Sequence, residues 1–267
     1  MPIREFFKRY SFIVIVLAIA GVGVLVYFRE NISGLLVFRE RPQGELNIPE
    51  GGEEARRVAE DPPVLIPPYV GRDPGEIRPD PKEIAAFGGS DLDKIYSTIR
   101  THAAAVSERA DFLAGWLEIG LLKKGIGDYE GAQDAWEYAS VIRPLNSVSF
   151  ANLGELYWKY LPDYPKSEAN FRASIRNKSD DIGTYMSLSD LYSYSYTQKK
   201  GLADDVLLEG LEANPGNTDL MRWLAALYQR ENNIPAALEW WKKVLVQNPS
   251  DGLVKETIME LEAKRTP

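Results

Sequence analysis

A long apolar run without charges lies near the start of the chain. From Ser11 to Phe28 the sequence SFIVIVLAIAGVGVLVYF carries no charge, and a helix of that length can span a bilayer core. We therefore predict a short basic tail over residues 1–9 and a transmembrane helix over 10–28. The alternative is a cleaved signal peptide, because Ala18-Ile19-Ala20 resembles a small-residue cleavage site.

The basic residues near this run indicate an orientation. Lys8 and Arg9 lie directly before it, and positive residues favour the cytoplasmic side. We expect a single-pass membrane protein with a cytoplasmic N-terminus and the remaining chain outside the cytoplasm.

A proline-rich stretch follows. Residues 29–89 hold nine of the 17 prolines, and proline interrupts both helices and central strands. The composition predicts a Pro/Gly-rich linker over 29–89. Within it, residues 62–70 (PPVLIPPYV) are apolar. Two interpretations stay open for them: they dock in an aromatic-lined groove of a partner, or they fold back onto the neighbouring domain.

From residue 90 onward the apolar positions recur at helical spacing, and self-similarity appears. A large side chain is followed four positions later by a small one. The four pairs are Trp116/Gly120, Phe150/Gly154, Tyr185/Ser189 and Met221/Ala225. Further small and large positions follow in each unit, and Pro144, Pro215 and Pro249 close three of them.

This pattern resembles the tetratricopeptide repeat (TPR) family. The sequence departs from the pattern at several points: Lys123 stands where the pattern has Tyr, Ser179 stands where the second unit would have its closing Pro, and the third unit has two extra residues between its helices. The resemblance implies an all-α fold, a right-handed α-solenoid of about four helix pairs with flanking helices. The predicted domain covers residues 90–267, with repeats at about 113–146, 147–181, 182–217 and 218–251 and a capping helix at 251–264.

The resemblance also implies a protein-binding scaffold. Stacked repeats form a concave surface lined by the first helix of each pair, and such a groove accepts an extended peptide or a helix of a protein partner. The predicted groove residues are Leu117, Leu121, Lys124, Glu155, Trp158, Met186, Asp190, Tyr194, Arg222 and Gln229. None of the corresponding positions carries the Lys and Asn pair by which some family members clamp a carboxylate, so that activity is not expected.

The composition of the chain excludes several classes of function. The chain has 31 basic and 39 acidic residues and a net charge of -8, which is not the basic footprint of a nucleic-acid binder. It has no cysteine and one histidine, so thiol chemistry and Cys- or multi-His metal sites are excluded. His102 has no nucleophile motif near it. We expect no metal, no cofactor and no enzymatic activity.

Three functional hypotheses follow from the sequence. The first is a membrane-anchored scaffold or assembly factor that recruits a protein through the repeat groove. The second is a fixed structural subunit of a membrane-associated complex. The third places a regulatory or catalytic activity in the linker or in an unrecognised pocket.

Overall fold

Helices account for the regular structure of residues 66–265, the part of the chain that the computed structural model describes. The α-helices are α1 (Pro81–Ile84), α2 (Gly89–Glu108), α3 (Leu113–Gly125), α4 (Tyr129–Ile142), α5 (Ser147–Lys159), α6 (Tyr164–Asn177), α7 (Ile182–Asp190), α8 (Ala203–Ala213), α9 (Thr218–Arg230), α10 (Ile234–Gln247) and α11 (Gly252–Arg265). A π-helix (Leu191–Ser195) and a 3₁₀-helix (Thr197–Leu202) lie between α7 and α8.

From α2 to α11 the helices form a stack, in which each α-helix packs against the next one along the chain. The pairs α3/α4, α5/α6, α7/α8 and α9/α10 are the helical hairpins, and α11 covers the last of them. Contacts of this nearest-neighbour kind define an α-solenoid. The prediction of an all-helical solenoid is confirmed at that level.

Short polar residues fix where the helices begin. In each case a side-chain oxygen accepts a hydrogen bond from a backbone N–H in the first helical turn, which satisfies a donor that the helix leaves unpaired. The capping residues of α4, α5, α6, α9 and α10 are Asp128, Asn146, Asp163, Asn217 and Asn233.

Small residues let the two helices of a hairpin approach closely. A Cβ atom added at Gly120 would lie 2.2 Å from Trp136 Nε1, and one added at Gly154 would lie 2.5 Å from the ring of Phe171. In the third hairpin the small residue is Ser189, whose hydroxyl donates to a backbone carbonyl 2.8 Å away in α8. The spacing of large and small residues in the sequence thus becomes a series of close side-chain-on-backbone contacts.

The third hairpin has an irregular first helix. After Asp190 the backbone widens into the π-helix and then tightens into the 3₁₀-helix. These two elements take up the extra length seen in the sequence of this unit. Such π-turns are frequent at functional sites, and this one sets the direction of Tyr194 and Ser195.

Residues 66–80 run along the first hairpin, and we call them the strap. The Tyr69 ring lies tilted against Trp116 and edge-on to Tyr138, with ring centroids 4.6 and 5.2 Å apart. The Tyr138 hydroxyl donates to the Pro67 carbonyl at 2.8 Å. The described part of the apolar segment 62–70 therefore lies on the repeat domain, as the fold-back interpretation expects.

A partly buried charge network holds the middle of the strap. The Arg72 guanidinium donates to Asp128 at 2.8 Å and to Asp134 at 3.1 Å. Lys123 lies 3.6 Å from the second oxygen of Asp128, and the side chains of this pair are 2% and 1% exposed. Burial lowers the pKa of Lys123, and the neighbouring Asp128 only partly offsets this. Lys123, the residue that departs from the repeat pattern, thus helps to hold a carboxylate that the strap needs.

The predicted localisation requires correction. Within residues 66–265, no helix combines the length and the apolar character needed to cross a membrane. The longest, α2, has 20 residues but carries charges such as Asp93, Lys94 and Arg100. The segment 10–28, on which the transmembrane prediction falls, lies outside the described residues. The prediction of a single-pass membrane protein with an extracytoplasmic repeat domain is therefore not supported by the structure.

Candidate functional site

The first helices of successive hairpins, α3, α5, α7 and α9, are joined by side chains on one face. Lys124 Nζ in α3 lies 2.8 Å from a Glu155 oxygen in α5. Trp158 Nε1, also in α5, donates to Ser195 Oγ in the π-helix at 2.8 Å. We call the surface formed by these helices the groove face.

The same face continues into the fourth hairpin. Trp223 Nε1 in α9 donates to the Asp190 carboxylate at 3.3 Å. The Arg230 guanidinium lies 4.6 Å from the ring centroid of Tyr194 and donates to its hydroxyl. The widened backbone after α7 allows Tyr194 and Ser195 to reach the helices on either side of it.

Five of the predicted groove residues take part in these cross-helix contacts: Lys124, Glu155, Trp158, Asp190 and Tyr194. The remaining five are placed differently. Leu117 and Met186 are half-buried and pack against the core, whereas Leu121 is 37% exposed.

Two predicted groove residues are engaged toward the C-terminal end of the array. Arg222 forms an ion pair with Asp251, just before α11, at 2.5 Å. Gln229 accepts a hydrogen bond from Trp241 Nε1 of α10 at 3.1 Å. The assignment of the ten predicted residues to a binding groove therefore stays a prediction.

A shallow depression of about 290 Å³ opens between α5 and α7. Its walls combine small and polar side chains with the ring of Phe171 at the base. The lining residues are Ala151, Asn152, Glu155, Phe171, Asp181, Gly183, Thr184 and Ser187. A side chain of a bound segment could enter it, because the small residues of α7 leave the space open.

The pKa values of two carboxylates on the groove face, Glu155 and Asp190, are shifted in opposite directions. Burial alone would raise the pKa of Glu155, but the charges and hydrogen bonds of Lys124 and Lys159 outweigh it and lower that pKa. Asp190 is different. Burial raises its pKa, and the Trp223 hydrogen bond with the more distant basic residues offsets this only in part.

Four residues of the groove face were missed by sequence reasoning: Lys159, Ser195, Trp223 and Arg230. Each follows a predicted groove residue by one position. Consecutive residues of a helix point about 100° apart, and an interacting helix face is about that wide. A prediction that allowed a face of this width would have included these neighbours. The choice of Trp223 as the partner of Asp190 depends on the stacking of two hairpins, which the spacing alone does not specify.

The described residues contain no cluster suited to a metal. No group of three or more His, Cys, Asp or Glu side chains within residues 66–265 is placed to hold an ion. The polar groups of the groove face instead bind one another and the aromatic rings.

Comparison with known proteins finds similarity among solved structures. The sequence matches no protein-family model and no curated protein. Among solved structures, the chain is similar to YrrB, described as a TPR protein with an unusual peptide-binding site, at 15% identity and a TM-score of 0.46, covering 61% of this chain and 83% of that one. It is also similar to MamA, at 14% identity and a TM-score of 0.49, covering 60% of this chain and 92% of that one.

A third similar structure is TTC0263, described as a thermophilic TPR protein from Thermus thermophilus. The identity is 14% and the TM-score 0.44, with 65% of this chain and 93% of that one covered. These values are too low to assign a family or a function to the chain.

Proposed function

We propose that the protein is a protein-binding scaffold or assembly factor that recruits a partner through the groove face of its repeats. The observation that carries this proposal is the composition of that face. It presents Tyr194, Trp223 and Leu121 to solvent, at 57%, 36% and 37% exposure, on helices whose packing holds their backbones in place. Aromatic side chains on a rigid support are typical anchors of protein interfaces.

The depression between α5 and α7 adds a recess lined by groove-face residues such as Ala151 and Glu155. A bound segment would therefore meet both exposed aromatic rings and a recess. The helices of the groove face bury their opposite sides in the core, so we expect them to receive a partner with little change of backbone.

Site-specific photo-crosslinking tests the proposal. We would replace Tyr194 by benzoylphenylalanine in the full chain and irradiate the cells that produce it. The matched control carries the same probe at Val246, which is 74% exposed on α10, a second helix. We expect a crosslinked protein partner from position 194 that is absent from position 246.

Equal crosslinking from both positions, or crosslinking from Val246 alone, would contradict the proposal. A fixed structural subunit, the alternative, would show a different signature: a crosslink of constant yield to one protein under all growth conditions, with no uncomplexed chain recovered. A recruiting scaffold should instead exist in both free and occupied forms.

A further inference from the structure

The charged residues of the predicted groove are not all paired with an opposite charge within residues 66–265. Lys124 pairs with Glu155, and Arg222 pairs with Asp251. Asp190, the remaining charged residue of the predicted groove, forms no ion pair within residues 66–265. Its carboxylate accepts a long hydrogen bond from Trp223 Nε1 at 3.3 Å, and a carboxylate can accept further hydrogen bonds.

The two cations whose charges act on this carboxylate, Arg230 and Lys159, are already engaged. Lys159 lies 3.1 Å from Glu155 and 4.7 Å from the ring centroid of Trp158. Arg230 is held by the ring and hydroxyl of Tyr194. Neither comes within ion-pair distance of Asp190, although the charge of each is felt there.

Burial raises the pKa of Asp190, so the charged carboxylate is less favourable here than in water. A cation from a partner would supply the ion pair that Asp190 lacks. The exposed rings of Trp223 and Tyr194 could pack against the apolar stem of such a side chain.

We propose that Asp190 recognises a Lys or Arg side chain of an extended partner segment bound along the groove face. This inference rests on the proposed function and names the chemistry of its ligand. The aromatic rings would supply apolar contact, and Asp190 would select the charge.

Peptide selection provides the test. A library of random peptides displayed on phage would be selected against the immobilised full chain. Parallel selections would use Asp190→Asn, which keeps the shape and the Trp223 acceptor, and Glu212→Gln, which removes an exposed carboxylate on α8. A fourth selection would use the double variant Tyr194→Glu, Trp223→Ala, which disrupts the groove face.

We expect Lys or Arg at one fixed position of the peptides selected by the natural chain and by Glu212→Gln. This preference should disappear with Asp190→Asn. A selected peptide, titrated by fluorescence anisotropy, should bind Asp190→Asn about tenfold more weakly, and replacing its basic residue by Gln should weaken binding to the natural chain by a similar factor.

The outcomes separate the inference from the proposed function. A basic preference that survives in Asp190→Asn, or selected peptides that carry acidic residues or no charge at that position, would overturn the role of Asp190 while groove binding stands. If no peptide were enriched over the groove double variant, the proposed function would fail together with the inference.

Discussion

Arg72 is the side chain through which the strap should contribute most to stability. It reaches from the strap to the first hairpin, where it binds Asp128 at the start of α4 and Asp134 one and a half turns later. Replacing it with alanine removes both ion pairs and leaves Lys123 as the remaining charged partner of Asp128, the residue that caps α4. We expect Arg72→Ala to destabilise the folded domain substantially.

The magnitude follows from the exposure of the two carboxylates. Asp128 is 1% exposed, and removing one partner of a buried ion pair costs about 3 to 5 kcal/mol. Lys123 at 3.6 Å retains part of that interaction. Asp134 is 24% exposed, so water replaces much of its loss, which we put below about 1 kcal/mol. The sum is about 3 kcal/mol, or a fall in Tm of about 6 to 12 °C for a domain of about 200 residues.

The assay is equilibrium unfolding in guanidinium chloride, followed by circular dichroism of the full chain, with a thermal scan beside it. Arg78→Ala is the matched control, because Arg78 also lies on the strap and pairs with Glu76 but is 60% exposed. Its cost should stay below about 0.5 kcal/mol. If Arg72→Ala lowered the midpoint no more than Arg78→Ala, the strap would not belong to the cooperative unit and the reasoning would be refuted.

Two further pairs of substitutions test the groove face and the hairpin packing. Glu155→Gln should lower the free energy of unfolding at pH 7, because the groove lysines outweigh burial and lower its pKa; the difference should fade as the pH falls through that lowered pKa, below the ordinary 4.5. Asp190→Asn should act in the opposite direction at pH 7, because burial raises that pKa, and its gain should vanish below the ordinary 3.8. Urea unfolding at a series of pH values measures both, and equal signs would contradict the electrostatic assignment. Gly154→Ala should cost about 1 to 3 kcal/mol, because its Cβ would meet a phenylalanine ring at 2.5 Å. Gly125→Ala meets nothing within 4 Å and should be neutral or stabilising by up to about 1 kcal/mol in the same thermal scans; similar losses for both would argue against tight hairpin packing.

The helical solenoid was predictable because its determinants are local. Gly120 and Trp136 are 16 positions apart, and Gly154 and Phe171 are 17, so each contact closes within one hairpin. The capping residues also lie beside the helices that they start. A repeat whose contacts reach only its neighbours leaves its pattern in the sequence.

The strap was not predictable in the same way. Its contacts join residues far apart in sequence, since Arg72 and Asp128 are separated by 56 positions. Proline-rich composition excludes a helix or a central strand but does not indicate a docking surface. The position depends on single side chains, Tyr69 and Arg72, whose partners are fixed only when the first hairpin has formed.

The contacts on the groove face depend on both local and long-range determinants. This division affects which of its side chains can serve in binding. Ion pairs and aromatic contacts across the face link each hairpin to the next, and in a stack of this kind such neighbour interfaces contribute directly to stability. Groups used in this way have little capacity left for a ligand. Asp190 is the exception, because it lies at the end of a regular helix where the π-turn begins and its carboxylate can accept hydrogen bonds beyond that from Trp223. If Asp190→Asn stabilises the fold as expected, the natural carboxylate is better explained by what it binds than by what it supports.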